Sequence, residues 1–231
     1  INSSDGENIL NICSEIAKKY KIVNENFNGF NILQQDISRV GALDLGFYNK
    51  QFSLEFDKSI KKHIDQFQPV VFLLGLDEID HSILKNSFVV YMGHHGDKSA
   101  EFADIILPTP AYTEKSSTYL NMEGRVMRTT RCYHPLGDSK EEWKVFRSLS
   151  ESFKSKLDFN NLSELRNKIL HEFPLFKEIN VLPKIAKVSF GNSSNIESKI
   201  IDYNIKNFYM NDVISRSSIT MSNCSREILN G

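Results

Sequence analysis

Residues 93–128 read GHHGDKSAEFADIILPTPAYTEKSSTYLNMEGRVMR, and their reading decides the fold. They follow a short apolar run, Phe88-Val89-Val90-Tyr91-Met92, whose β-branched and aromatic residues and terminal Gly93 predict a buried strand. The loop Gly93-His94-His95-Gly96-Asp97 then falls at the carboxyl end of that strand, where open α/β sheets bind ligands. Ala103-Asp104-Ile105-Ile106-Leu107 is a second apolar run, stopped by Pro108 and Pro110, which have no N–H to give to a ladder. Upstream, Val70 to Leu74 is a continuous apolar run before Gly75 and predicts a central parallel strand. The short acidic stretch Asp77 to Lys85 crosses over from it to the Phe88 strand, which completes a βαβ unit and gives an α/β class.

Outside this centre the pattern is helical. Ser4-x-x-Glu7 has capping-box form, and Ile9, Ile12, Cys13, Ile16, Ala17 and Tyr20 recur along one helical face. A second helix is predicted over Asn31 to Leu45, with Leu33, Ile37 and Val40 on one side and Gly46 as C-cap. A third runs from Phe56 to Phe67 through Ile60 and Ile64, with His63 at the surface. Thr118 to Leu120 and Val126 to Thr130 flank Gly124 as a hairpin. Ser139-x-x-Glu142 predicts a cap for a helix carrying Trp143, Phe146, Leu149 and Phe153, with Trp143 set against the sheet bearing Ile105, Ile106 and Leu107. Asn161-x-x-Glu164 opens a further helix through Leu162, Leu165, Ile169 and Phe173, closed by Pro174. Beyond Phe176 the pattern weakens, with an exposed loop at Gly191 to Asn195 and an extended tail ending in a helix from about Asp212 to Leu229.

Composition narrows the function classes. The 231 residues carry 28 basic and 29 acidic side chains, a net charge of −1, which gives no electrostatic case for nucleic acid. The longest apolar run, Pro69 to Leu76, is far too short to cross a bilayer, so membrane association has to come through partners. Cys13, Cys132 and Cys224 stand far apart with no C-x-x-C spacing; they cannot assemble a cluster or zinc site and read as small buried hydrophobes. A chain that opens on Ile1 reads as a fragment, a processed product or an unusual start.

The residues that could carry chemistry all have a structural reading that outweighs it. His94 and His95 with Asp97 would be the best metal ligands, but adjacent side chains on extended backbone point to opposite sides, so at most one histidine would face a metal. Gly75 is followed by Leu76-Asp77-Glu78, whose carboxylates repel phosphate, which rejects nucleotide binding at the first crossover. Asp104 with Arg125, and Glu114 with Lys115, read as loop-holding ion pairs. His81, His134 and His171 read as exposed. No G-x-S-x-G, H-E-x-x-H or Walker pattern occurs. The expectation is therefore no catalytic, cofactor-binding or metal-binding residue in this chain.

Several of these stretches also carry a family resemblance. Ala103 to Pro108, Tyr112-Thr113-Glu114-Lys115, Asn121-Met122-Glu123-Gly124-Arg125 and Glu142-Trp143-Lys144 resemble, in this order, the C-terminal half of molybdopterin-type oxidoreductases. Gly93 to Asp97 resembles one branch, the large iron–sulfur (75 kDa) subunit of respiratory complex I, as do Phe208 to Asp212, Ile214-Ser215-Arg216 and Thr220 to Cys224. With weaker similarity around Ala42 to Gly46, the resemblance spans nearly the whole chain.

The resemblance implies parallel-sheet, Rossmann-like layers of the molybdopterin oxidoreductase type over residues 1–173 and a C-terminal tail over 174–231. It implies a non-catalytic structural role in the matrix arm of an NADH:ubiquinone oxidoreductase at the mitochondrial inner membrane. The iron–sulfur clusters would be held by a companion N-terminal region, as a separate chain or as part of a longer one, and other matrix-arm subunits would be partners. In the molybdenum enzymes the corresponding loops line the pterin; in this branch the fold is kept and the cofactor lost. A catalytic molybdopterin fragment of the formate dehydrogenase or nitrate reductase type is the alternative, and an independent binding module a third.

Overall fold

The computed structural model describes residues 6–34, 38–47, 56–183 and 207–229. The chain divides into two compact units: Ile1–Gly46 with Thr118–Met127 and Phe173–Asn204, and Phe47–Ser117 with Arg128–Glu172 and Ile205–Gly231.

The second unit holds a parallel sheet of three strands, β1 (Val70–Leu74), β2 (Phe88–Gly93) and β3 (Ile105–Pro108), in the order β1-β2-β3. Val70 pairs with Phe88 and Leu74 with Met92; on the other side Val90 pairs with Ile105 and Gly93 with Pro108. Asp104 prolongs the β2–β3 ladder, its amide donating to the Val89 carbonyl at 2.9 Å and its carboxylate accepting from the Val89 amide at 2.7 Å. All of β2 from Val89 to Gly93 is buried, which is why it reads as an unbroken apolar run.

The same kind of run led to the expectation that β1 is central, and this is corrected. Among the described residues β1 is an edge strand, with Val70 57% and Leu74 50% exposed. An apolar run reports which faces a strand offers for burial, not which of its edges is paired. The β1–β2 crossover is also shorter than a helix, a single turn at His81–Leu84 capped by the Asp80 carboxylate.

The core forms where α3 (Phe56–Phe67) meets the sheet: Ile64 packs with Leu73, Ile83, Leu84, Val89 and Tyr91, all buried. Each such side chain contributes about 1.5–3 kcal/mol of burial. Phe67, assigned to the same stripe, is exposed and its ring lies 4.7 Å from that of His63 in a tilted arrangement; the Phe56 and Ile60 part of that stripe lies outside the described side chains. After β2 comes a short helix with no expectation in the sequence, α4 (Lys98–Phe102).

Helix α5 (Glu142–Leu149) forms as expected but is not capped by Ser139, whose hydroxyl donates instead to the Leu136 carbonyl at 2.8 Å; Glu141 is the N-cap residue. It meets the sheet through Phe146, whose ring lies 5.3 Å from Phe72 of β1. Trp143 is half-buried, lies 6.2 Å from Phe159, and donates Nε1–H to Glu141. Helix α6 (Leu162–Glu172) keeps its expected cap, with the Glu164 amide donating to Asn161 at 2.9 Å. The last helix is broken into α7 (Val213–Arg216), α8 (Ile219–Cys224) and a π turn at Ser225–Leu229. The break comes at Ser217 and Ser218, where hydroxyls bond backbone: Ser217 to the Val213 carbonyl and Ser218 to the Met221 amide.

The first unit contains α1 (Gly6–Lys19), α2 (Arg39–Asp44) and, up to Met127, the hairpin of β4 (Thr118–Leu120) and β5 (Val126–Arg128). Gly124 supplies the positive φ of the hairpin at +80°. Within the unit Arg125 donates to the Asn180 carbonyl at 2.8 Å. Helix α1 forms as expected, but of its apolar stripe Ala17 is buried while Ile12, Cys13, Ile16 and Tyr20 are exposed. Helix α2 begins only at Arg39, so Asn31 to Gln34 are not helical; Ser4, Ile37 and the Gly191 to Asn195 loop lie outside the described residues.

Candidate functional site

The carboxyl ends of β1 and β2 each run into a polar loop. β1 is followed by Gly75, Leu76, Asp77 and Glu78, with Gly75 at φ +60° and its amide bonded back to the Met92 carbonyl at 2.7 Å. β2 is followed by His94, His95, Gly96 and Asp97, which leave the strand in a bend. The last residue of α7, Arg216, reaches this place from the far end of the sequence.

Asp77 and Tyr91 are buried here, and His94, His95 and Asp97 are half-buried. Asp77 is only 8% exposed, and its Oδ1 has no hydrogen-bond partner among the described residues. Burial raises its pKa above the ordinary carboxylate value, the neighbouring Tyr91 hydroxyl counters this, and the Asp97 charge adds to it. Tyr91 is buried in turn, and burial together with the Asp77 charge pushes its phenol up to about 12. Its hydroxyl donates to the His95 carbonyl at 3.1 Å, so that carbonyl and the Asp77 carboxylate compete for one phenolic proton.

His94 and His95 do not point to opposite sides as extended backbone would require. The bend turns the rings edge to face, with Nδ1 atoms 2.6 Å apart. That contact needs one proton between two nitrogens, so each imidazole occupies the other's Nδ1. Burial, then His95 and Lys115, lower the His94 pKa and favour the neutral ring. Among the described residues no group of three or more His, Cys, Asp or Glu is placed to hold a metal ion.

Asp97 has two structural partners: it accepts from the Lys98 amide at the start of α4 at 2.7 Å and from Arg216 Nε at 2.5 Å. Burial alone would raise its pKa, but the Lys98 amide and Arg216 outweigh this and hold it below the usual range. Arg216 also donates through Nη1 to Glu78 at 3.2 Å.

The other residues weighed from sequence have other tasks. Glu114 accepts from the Ala111 amide at 3.0 Å, and Lys115 pairs with Glu142 at 2.5 Å rather than with Glu114. Asp104 is occupied by Val89, and Arg125 pairs with Glu123 at 3.6 Å, so the expected Asp104–Arg125 pair is replaced. His134 and His171 are exposed, but His81 is half-buried with Nε2 2.8 Å from the Ser99 hydroxyl. Ser99 gives its own proton to the Leu76 carbonyl at 2.6 Å, so His81 is the donor to Ser99. The cysteines are corrected as well: Cys13 and Cys132 are exposed and Cys224 is partly so. A groove beside α5, lined mainly by Phe146, Leu149, Phe153 and Leu157, contains no carboxylate or imidazole.

Sequence reasoning missed Asp77 as a buried group, Tyr91 as its neighbour, and Arg216 as their counter-charge. The first two carry a faint signal, an acid directly after an apolar strand and a tyrosine inside one. Arg216 carries none, being 119 residues from Asp97.

The sequence matches known families and proteins along its length. The family model described as molybdopterin oxidoreductase matches residues 1–152, and the model for the C-terminal segment of an NADH-ubiquinone oxidoreductase subunit matches residues 179–224. The NADH-ubiquinone oxidoreductase 75 kDa subunit of Reclinomonas americana is 38% identical over 231 residues, covering 97% of this chain and 32% of its own length. The mitochondrial NADH-ubiquinone oxidoreductase 78 kDa subunit of Candida albicans is 42% identical over 234 residues, covering 96% and 31%. Its counterpart of the same name in Neurospora crassa is 37% identical over 211 residues, covering 87% and 27%. The chain thus spans 27% to 32% of the length of these curated relatives.

Proposed function

From the premise that this chain belongs to the molybdopterin oxidoreductase family, we propose that it is a non-catalytic structural part of the large subunit of an NADH:ubiquinone oxidoreductase, complex I. The observation that carries the reading is the order of the two matches: a molybdopterin oxidoreductase body over 1–152 is followed by an NADH-ubiquinone oxidoreductase C-terminal segment over 179–224. That division also supports the reading of residues 1–173 as an α/β domain with Rossmann-like layers and 174–231 as a tail.

The family's name carries a pterin cofactor, and the residues at the strand ends do not fit one. A phosphorylated pterin needs N–H groups and cations turned toward it. Here the loops present Asp77, Glu78 and Asp97, and Arg216 is already bonded to two of them. His94 and His95 are occupied with each other. No step is therefore assigned to such a cofactor in this chain, and the reading holds no catalytic, cofactor-binding or metal-binding residue in it. The catalytic-fragment alternative shares the match over 1–152 but not the NADH-ubiquinone oxidoreductase match over 179–224.

Electron transfer belongs, in this reading, to iron–sulfur clusters in the N-terminal region of the same subunit, whether separate or continuous with it. That region and other matrix-arm subunits are the partners, at the matrix side of the mitochondrial inner membrane. Two observations support the arrangement. The Candida and Neurospora relatives are named as mitochondrial, and no described helix is long and apolar enough to cross a membrane. Parallel sheets are normally covered on both faces, whereas Val70, Leu74, Ile105 and Ile106 are exposed here. Because β2 is paired on both sides, the strands completing the sheet would add to β1 or β3, not beside Phe88. The interface should exceed about 2,000 Å², as obligate interfaces do.

Affinity isolation of the tagged chain from its source, followed by identification of the co-purifying polypeptides and metal analysis of the separated subunits, tests the proposal. Complex I subunits together with iron confined to the cysteine-rich region are expected. Stoichiometric molybdenum or tungsten on this polypeptide, or isolation of a soluble, cooperatively folding monomer, would overturn it.

A further inference from the structure

We propose that the C-terminal arm, Phe208–Leu229, is a built-in plug that closes the strand-end crevice with Arg216, so that a side chain of the protein stands where an α/β sheet otherwise takes a ligand. This deepens the structural reading above and rests on it.

The arm is organised to deliver one cation. Asp212 caps α7, its Oδ1 accepting from the Ile214 amide at 2.9 Å and the Ser215 amide at 3.0 Å, which fixes the single turn that ends in Arg216. The two ends of the arm are joined by Asn207, whose Nδ2 donates to the buried Ser225 hydroxyl at 2.6 Å. The arm thus presents Arg216 from a closed framework.

Arg216 then bridges two loops that belong to different strands. Nε bonds Asp97 in the loop after β2 at 2.5 Å, and Nη1 bonds Glu78 in the loop after β1 at 3.2 Å. These loops follow the carboxyl ends of β1 and β2, the place where such sheets generally take ligands. Arg216 and Asp97 are three-quarters or more shielded, at 24% and 16% side-chain exposure, so the pair is less screened than a surface ion pair. Beside them lies Asp77, a buried carboxyl with Oδ1 unpartnered among the described residues, whose ionised form the Arg216 charge favours against the opposing effect of burial. The crevice is therefore an anionic socket, complementary to a guanidinium and already filled by one. The planar fork matters, because it serves two carboxylates at once, which an ammonium does less well.

The experiment is hydrogen–deuterium exchange on the assembled complex, with chemical rescue. Arg216→Ala should raise exchange roughly tenfold, corresponding to about 1.4 kcal/mol, in segments 93–98 and 207–229 and leave 142–149 unchanged. Arg216→Lys should give a smaller increase. Millimolar ethylguanidinium should restore protection of 93–98 in Arg216→Ala, while equal sodium chloride should not. Unchanged exchange in both segments, or rescue by sodium chloride as effective as by ethylguanidinium, would overturn the proposal. Should Arg216→Ala fail to assemble, Glu78→Ala decides. That variant removes only the exposed arm of the bridge and should loosen 207–229; wild-type exchange would refute the plug. Co-purification of the same subunits is scored separately, so loss of the plug and loss of the complex I assignment are distinguished.

Discussion

Replacing Ile64 by alanine tests the core on which the strand-end loops rest. Ile64 is 2% exposed and is enclosed by Leu73, Ile83, Leu84, Val89 and Tyr91, so it connects α3 to β1, the crossover turn and β2. The substitution removes three carbons, about 2.4 kcal/mol of transfer free energy at about 0.8 kcal/mol each. The hole left between a helix and a hydrogen-bonded sheet collapses poorly, which puts the total at about 3–5 kcal/mol. At roughly 2–4 °C per kcal/mol for a chain of this size, the melting temperature should fall by about 6–20 °C. The assay is thermal unfolding of the assembled protein followed by exchange or fluorescence, with Ile16→Ala as control. Ile16 is 46% exposed on α1, and its truncation should cost within about 0.5 kcal/mol. Equal losses for the two variants would refute this placement of the core.

Asp77→Asn should change the pH dependence of stability. The folded pKa of Asp77 is raised by burial, so its contribution is fully present below the ordinary value of 3.8 and is lost as pH rises through the folded pKa. The asparagine variant should therefore gain on wild type in urea midpoint at pH 7 and lose that advantage in acid; a deficit growing toward pH 8 would refute the reasoning. Trp143→Ala should cost about 2 kcal/mol, less than full burial would imply, because the indole is half-buried against Phe159; a loss above about 4 kcal/mol would show otherwise. A double-mutant cycle of Lys115→Met and Glu142→Gln should give a coupling of about 1 kcal/mol that weakens in salt, and zero coupling would remove the pair from the structure's support.

The residue pattern alone determined the local elements whose signals lie within a few residues of one another. The bounds of α3 and of β1, the β2 run, the α6 cap at Asn161 and the Gly124 turn are of this kind, since periodicity, caps and φ preferences act over one or two turns of chain. The family too was legible, through motifs held in order from Gly93 to Lys144. What needed the tertiary structure was everything fixed by meeting partners. An apolar stripe cannot announce whether anything covers it, and so α1 shows Ile12 and Ile16 to solvent while β1 lies at an edge. Backbone direction at a strand end decides side-chain direction, and so the bend after Gly93 turned His94 onto His95. Charge pairing depends on distance in space, and so Asp97 and Glu78 found Arg216, more than a hundred residues along the chain, which no spacing rule could connect.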